Sequence, residues 1–330
     1  MKIAILLIVG SLVVSAVSGF FVENLRPVEY LKDPPVVLDI PQGIGFNEIT
    51  ERIKTAGLIR SKKIFKTYAV LSGKANRIQG GGYSFSAPVS ALELLKILTE
   101  GPREISMTIF PGMTLKEIDA RLSELSIVVK GKLLDFNFDN LTTEYPFLKG
   151  VDSLEGYLLP DTYYFYENTR PETLVRKILD NFKERALPFF RTNDNVANVL
   201  KIASFLEKEI PDNDERRIAA GIIEKRLKNG IFLQIDATVI YAKCSGRFLD
   251  CPELFKDDFK IKSPYNTYLH VGLTPTPIGN PSVEAIKSVI EKKNSPYWYY
   301  LSDPKTKKTI FSKDFDEHNR NRVKYLLNNR

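Results

Sequence analysis

The sequence predicts an α+β fold, with a single N-terminal transmembrane helix, a small β-α-α-β module and a larger mixed α+β domain. Three observations carry that expectation. Residues Ile3 to Val22 form a charge-free apolar run of the length that crosses a bilayer as a helix. From residue 36 onward, segments of strand-like and helix-like hydrophobic spacing alternate, with no repeat at a solenoid or propeller period. The 330 residues are 43% hydrophobic and 26% charged, which suits a buried core and excludes wholesale disorder.

At the N-terminus, Lys2 precedes the apolar run, while Glu23 and Arg26 follow it. A cleaved signal peptide would stop at small residues, which Val14 to Gly19 supply. Phe20, Phe21 and Val22 carry the run past that point, so an uncleaved anchor over residues 1–22 is the favoured reading. Either way the remainder is exported, which places the protein at the cell (inner) membrane, single-pass, with its bulk extracytoplasmic. Residues 23–35 end in Pro34-Pro35 and read as a stiff juxtamembrane spacer. Export also gives Cys244 and Cys251 a compartment in which they could pair across CSGRFLDC. They read as a local staple on a surface insertion, because the spacing is not that of a Cys-x-x-Cys redox motif.

The module is assigned to residues 36–125. Val36 to Ile40 reads as a strand, followed by a helix over Phe46, Ile49, Ile53 and Ala56 with Gly57 closing it. A second helix spans Ser61 to Leu71, capped by Ser61 and closed by Gly73. Gly80 to Gly82 reads as a turn into a strand at Tyr83 to Phe85, and Leu92 to Leu98 as a helix. Ile105 to Phe110 is strand-like and turns at Pro111 to Thr114 into a helix from Leu115. Residues 126–150 are irregular and open the second domain, 126–330. A helix then runs from Pro171 to about Ala186, with Pro and Glu in its first turn.

Charge narrows the function classes. Lys plus Arg number 47 against 40 Asp plus Glu, giving +7, with the basic residues spread along the chain. That permits nucleic-acid binding without demanding it, and no nucleic acid is expected as a partner. Two His and two Cys cannot build a four-ligand zinc site without carboxylate help. No metal and no cofactor is expected.

The chemistry is expected on the helix at 196–210, VANVLKIASFLEKEI. Val196, Val199, Leu200, Ala203, Leu206 and Ile210 share one face, and Glu207 lies on it. A carboxyl in an apolar stripe is costly to ionise, and a proton held near neutral pH is what a general acid requires. Two plainer readings stand beside this one. Glu207 could sit at the stripe edge in water, or pair with Arg216 or Arg217 on the next helix. Glu209 reads as a solvated face residue.

Downstream, Asp214 to Lys228 is a helix closed by Asn229-Gly230, and Phe232 to Tyr241 opens as a strand or extended segment. Asp236 and Thr238 are polar on that apolar stretch, so each needs a partner or a role. Gly272 to Pro281 is a rigid Pro/Gly loop that could line a groove. Pro296 to Ser302 reads as a core strand paired with Ile310 to Ser312, and His318 as a structural residue on a short terminal helix.

Five ordered motifs carry a family resemblance. They are Leu154 to Tyr163 (LEGYLLPDTY), Ala203 to Glu209 (ASFLEKE), Leu233 to Tyr241 (LQIDATVIY), Tyr265 to Tyr268 (YNTY) and Gly272 to Ile278 (GLTPTPI). In this order the chain resembles the endolytic murein transglycosylase family (MltG or YceG-like) over nearly its whole length. The resemblance implies a LysM-like N-terminal module and a lyase that cleaves peptidoglycan glycan strands between N-acetylmuramic acid and N-acetylglucosamine, leaving 1,6-anhydro ends and terminating nascent strands. It places the catalytic glutamate on Glu207, the first of Glu-Lys-Glu, and cleft-lining residues on Asp236, Tyr265, Asn266 and Asn280. It also implies peptidoglycan synthases as partners. Ala237 stands where the family usually has Pro, and Thr108 to Gly112 departs from the usual Ile-Pro-Glu-Gly. On this reading Glu207→Gln folds normally and releases no anhydro-muropeptides. Two rivals remain: a muramidase-type hydrolase with Glu207 as acid and Asp236 as base, and a non-catalytic wall-binding scaffold.

Overall fold

A computed structural model of the chain describes residues 15–32 and 35–327. The expected transmembrane run lies largely outside them. Residues 15–25 are helical (α1), and among the described residues no helix is long and apolar enough to cross a membrane. Val17, Phe20 and Val22 on α1 are exposed. The chain forms two compact units, residues 1–105 with 164–169, and residues 106–163 with 170–330.

The first unit is built on β1 (Val36–Ile40), α2 (Phe46–Thr55), α3 (Lys62–Leu71), β2 (Gly81–Phe85) and α4 (Ala91–Glu100). The β-α-α-β order therefore stands as the hydrophobic spacing predicts. β1 and β2 pair antiparallel, with Val36 opposite Phe85 and Ile40 opposite Gly81. Local signals hold: the Ser61 and Ser90 side chains cap α3 and α4, and Gly57 takes the left-handed conformation after α2. The glycine triplet is not the turn it resembled, because β2 begins at Gly81. A Cβ there would lie 2.5 Å from Pro102 Cγ, so glycine serves close approach within the strand. The supposed spacer is also more than a spacer. Leu25 and Leu31 are buried in the module's core with Leu38, Ile53, Phe65 and Leu94, and Arg60 Nε donates to Pro27 O at 2.9 Å.

The second unit starts before residue 125, where the sequence places the boundary. Its opening strand–turn–helix is stitched to later segments. β3 (Ile105–Ile109) pairs with β4 (Asp161–Phe165). Thr114 and Glu117 form a capping box on α5 (Leu115–Glu124), and Leu115 N donates to Glu155 Oε1 at 2.9 Å. Further on come α6 (Pro171–Arg185), α7 (Val196–Glu209), α8 (Asn213–Lys228), α9 (Asp236–Lys243), α10 (Val283–Ile290), β5 (Tyr299–Ser302), β6 (Thr309–Ser312) and α11 (Phe315–Arg322). The expected β5–β6 pairing is present, although β5 is shorter than Pro296 to Ser302 and only Leu301 on it is buried.

α7 is the centre of this unit. It packs against α8, α9 and α10, and Leu200, Ile202, Ala203, Ser204, Phe205 and Leu206 are all buried. A helix buried on more than one face leaves little solvated side for its last turn, and Glu207, Lys208 and Glu209 are half-buried there. The segment expected to open as a strand at 232–241 is irregular up to Ile235, with Gln234 in the left-handed conformation (φ 56°), and then becomes α9. Thr267 holds the irregular part, accepting from Gln234 N at 3.1 Å on its carbonyl and from Ile235 N at 2.9 Å on its hydroxyl. The Pro/Gly loop is pinned to α7 by Ile278 N, which donates to Ser204 Oγ at 3.0 Å. Gly279 and Gly112 touch there: a Cβ on Gly279 would stand 2.5 Å from Gly112 O. Gly279→Ala is therefore expected to lower the melting temperature, by about 1–3 kcal/mol of stability on chemical denaturation.

Candidate active site

Glu207 and Glu209 close α7, and the structure gives them opposite settings. Glu207 is held by an ion pair. Its Oε1 accepts from Arg216 Nη2 at 2.7 Å, and the two side chains are 8% and 7% exposed. Its Oε2 accepts from Ser282 N at 2.8 Å and from the Ser282 hydroxyl, the residue that N-caps α10. Arg216 is anchored in turn by Ile210 O at 2.5 Å and Asn213 Oδ1 at 3.2 Å. The pairing with Arg216, one of the two plainer readings, is what α7 and α8 build. The greasy surrounding expected for this carboxyl is replaced by a guanidinium and two donors from Ser282.

Glu209 is not the solvated residue that the wheel suggested. Burial pushes its carboxyl up to about 7, and the negative charge of Asp236 adds to that shift. Tyr300 on β5 donates to Oε2 at 2.9 Å, and the backbone N–H groups of Asp236 and Ala237, at the start of α9, also donate. Ser302 Oγ donates to the Glu209 carbonyl at 3.1 Å, so β5 is fastened to the end of α7. Asp236 itself is exposed and accepts from Tyr268 OH at 2.5 Å. The structure thus brings a carboxyl poised at neutral pH and an exposed carboxylate together at one helix end. Two titratable groups in contrasting environments are the arrangement that separates an acid from a charge stabiliser.

The other expected cleft residues divide. Tyr265 is half-buried, shares a hydrogen bond with Thr276 Oγ1 at 2.9 Å, and packs on Tyr241 with ring centroids 4.9 Å apart. It lines a concavity of about 330 Å³. Asn266 and Asn280 are fully buried. Asn266 Nδ2 donates to Phe259 O and Ile261 O, both at 3.0 Å. Asn280 Oδ1 accepts from Gly156 N at 2.9 Å and Leu158 N at 2.8 Å, while its Nδ2 donates to Met113 O. Their roles are architectural. Buried turns leave backbone groups without partners, and an Asn amide replaces them. Asn280→Ala is expected to cost about 2–4 kcal/mol, seen as a lower denaturation midpoint.

Two groups escaped the sequence reading. Glu209 is one, and its signal was present: Ile202, Phe205 and Glu209 form a second apolar stripe at spacings of three and four. Glu155 is the other. Burial pushes this carboxyl up to about 8, where it accepts from Leu115 N and from Tyr241 OH at 3.1 Å. Nothing local to LEGYLLPDTY announces it, because its partners lie on α5 and α9.

A mixed α+β scaffold thus ends its central helix in a perturbed carboxyl beside an exposed carboxylate, a pair of groups able to exchange a proton near neutral pH. Residues 38–324 match the model of the YceG-like family, and the chain belongs to that family. It is 30% identical over 93% of its length to the endolytic murein transglycosylase of Streptococcus pneumoniae serotype 2, and spans 61% of that protein. It is also 30% identical over 92% of its length to the endolytic murein transglycosylase of Bacillus subtilis (strain 168), covering 88% of it. A crystal structure of a yceG-like protein from Listeria monocytogenes superposes with a TM-score of 0.58 at 26% identity, covering 88% of this chain and 99% of that one.

Proposed function

We propose that the protein is a membrane-tethered lytic transglycosylase of peptidoglycan in which Glu209, rather than Glu207, carries the catalytic proton. The observation that carries this reading is the position of Glu209, half-buried at the end of α7 against the start of α9, held by Tyr300 OH at 2.9 Å and next to the exposed Asp236, a setting that pushes its carboxyl up to about 7. A group with that pKa holds a proton at physiological pH and can also give it up. Protonated Glu209 donates to the glycosidic oxygen between N-acetylmuramic acid and N-acetylglucosamine. The bond breaks through an oxocarbenium-like state, to which the Asp236 anion offers electrostatic stabilisation. The Glu209 carboxylate then removes the proton of the muramic acid C6 hydroxyl. That oxygen attacks C1 and closes a 1,6-anhydro ring, so no water is consumed and the carboxyl ends as it began. Glu207 serves as a positioning residue, tying α7, α8 and the N-cap of α10 together.

The names of the pneumococcal and Bacillus relatives support the substrate and the reaction class. Exposed Val17, Phe20 and Val22 on α1 support a tether continuing through residues 1–14, outside the described residues, with the rest extracytoplasmic. A short tether suits a partner role beside the synthases that extrude new strands. We read the β-α-α-β unit as the LysM-like module that the resemblance implies. Mass spectrometry of products from purified sacculi tests the reaction: anhydro-muramic ends are expected, and reducing muramic ends would instead indicate a hydrolase with Asp236 as base.

A further inference from the structure

The insertion closed by Cys244 and Cys251 has no part in the proton transfer, yet the fold invests in it. The two cysteines are joined, with Cα atoms 5.9 Å apart. Glu117 on α5 accepts from Phe248 N at 2.6 Å and Leu249 N at 2.8 Å, and Lys208 Nζ sits 3.6 Å from the centre of the Phe248 ring. This latched loop forms one wall of a furrow whose other wall is α5. The middle of the furrow, about 410 Å³, is lined by Lys116, Lys130 and Arg247 with Asp119. Through Ala120 and Arg247 it continues into a concavity of about 540 Å³ bordered by Phe110, Phe248 and Leu249. Through Lys116 and Ser245 it continues into the concavity at Tyr241 and Tyr265.

The acids along the middle of these walls are already engaged, and the exposed Asp250 stands beside Leu249 at the apolar end. Asp119 accepts from Gly131 N at 2.8 Å and Leu133 N at 3.2 Å, Glu117 holds the loop, and Glu124 pairs with Arg121 at 3.0 Å. Lys130 and Arg247 are exposed and form no ion pair among the described residues. The result is a concave track, positive along its floor, with exposed Phe110 and Leu249 at one end. In a peptide-bearing strand the acetylated sugars are uncharged, because the lactyl carboxyl of each muramic acid is tied up as the amide to its stem, so the sugars themselves give such cations nothing to neutralise. Short peptides that end in carboxylates and carry small apolar side chains match both features.

We propose that this furrow, between α5 and the disulfide loop, binds the carboxylate-bearing peptide stems of the glycan strand through Lys130 and Arg247. The proposal rests on peptidoglycan being the substrate, and its test is separable from turnover. The full-length protein in detergent is titrated with a disaccharide–tetrapeptide muropeptide and with the same disaccharide whose muramic lactyl carboxyl is capped as a methylamide, so that the control carries no anion. The wild type is expected to bind the peptide-bearing form about tenfold more tightly, and Lys130→Glu with Arg247→Glu to erase that difference. A cleavage arm compares peptide-bearing strands with strands stripped by an amidase, and the wild-type preference is expected to collapse toward parity in the double variant. Equal binding of both ligands by the wild type, or a preference untouched by the two charge reversals, overturns the proposal. Because binding is read without cleavage, an inactive enzyme would refute the proposed reaction and leave this result standing.

Discussion

Replacing Glu209 by glutamine is expected to reduce strand cleavage by about 100- to 10,000-fold while making the protein more stable above neutral pH. The loss follows from removing the only proton that the site holds near pH 7 in contact with Asp236. The gain follows from linkage. In the folded protein the carboxyl titrates at about 7, against an ordinary value of 4.5. Below 4.5 both folded and unfolded chains carry the proton, and the residue exacts no penalty. As pH rises through 7 the folded carboxyl must ionise in its enclosed site, at a cost of at most about 3 kcal/mol. Glutamine is neutral throughout. Melting curves of wild type and Glu209→Gln are therefore expected to coincide near about pH 4 and to separate at about pH 8, the variant being higher. Glu155, titrating at about 8, adds to the wild-type decline over the same window and remains in both proteins. A variant that is no more stable at alkaline pH would mean that the carboxyl is better solvated than its surroundings indicate.

Disrupting the Glu207–Arg216 pair is expected to have the largest effect on stability. Both side chains are more than nine-tenths buried, and removing one leaves the other as an unpaired interior charge. Glu207→Ala or Arg216→Ala is expected to cost about 3–5 kcal/mol. Removing both charges together, as Glu207→Leu with Arg216→Met, is expected to restore much of that loss, because two apolar side chains can fill the volume without a desolvation penalty. A double-mutant cycle in denaturant measures the coupling. The double variant also separates the two candidate acids, since it keeps Glu209, Asp236 and Tyr300. It is expected to retain measurable cleavage, and complete inactivity in a folded double variant would return the proton to Glu207. The expectation that Glu207→Gln folds normally does not survive the ion pair: the amide leaves Arg216 without its counter-charge, and a loss of stability is expected.

Much of the fold was legible because its signals are local. Ser61 caps its helix where the sequence places it, and the strand at Val36 to Ile40 pairs with the one at Tyr83 to Phe85. The start of α9 was not legible, since Thr267, far along the chain, holds the preceding residues in place. The helix α7 was legible, and so was the pairing of Glu207 with Arg216 as one of the readings its position allowed, whereas the half-buried setting of Glu209 was not. A helical wheel assigns polar residues to water, and that inference holds only when one side of the helix is free. α7 is packed by three helices, and Tyr300 of β5 reaches its last turn, so Glu209 is half-covered by a segment about ninety positions away. Asn266 sits in the YNTY motif and Asn280 two residues beyond GLTPTPI, where the resemblance implies a cleft lining, yet both amides bond backbone groups. A motif marks residues that the architecture cannot replace as readily as residues that touch a ligand.

The pH dependence of kcat/KM on purified glycan strands tests the central claim most directly. If Glu209 is the general acid, activity falls as pH rises through about 7 in the wild type. The same descending limb is expected in the Glu207→Leu, Arg216→Met double variant, and the residual activity of Glu209→Gln is expected to lack it. A descending limb near 7 that persists in Glu209→Gln would contradict the account.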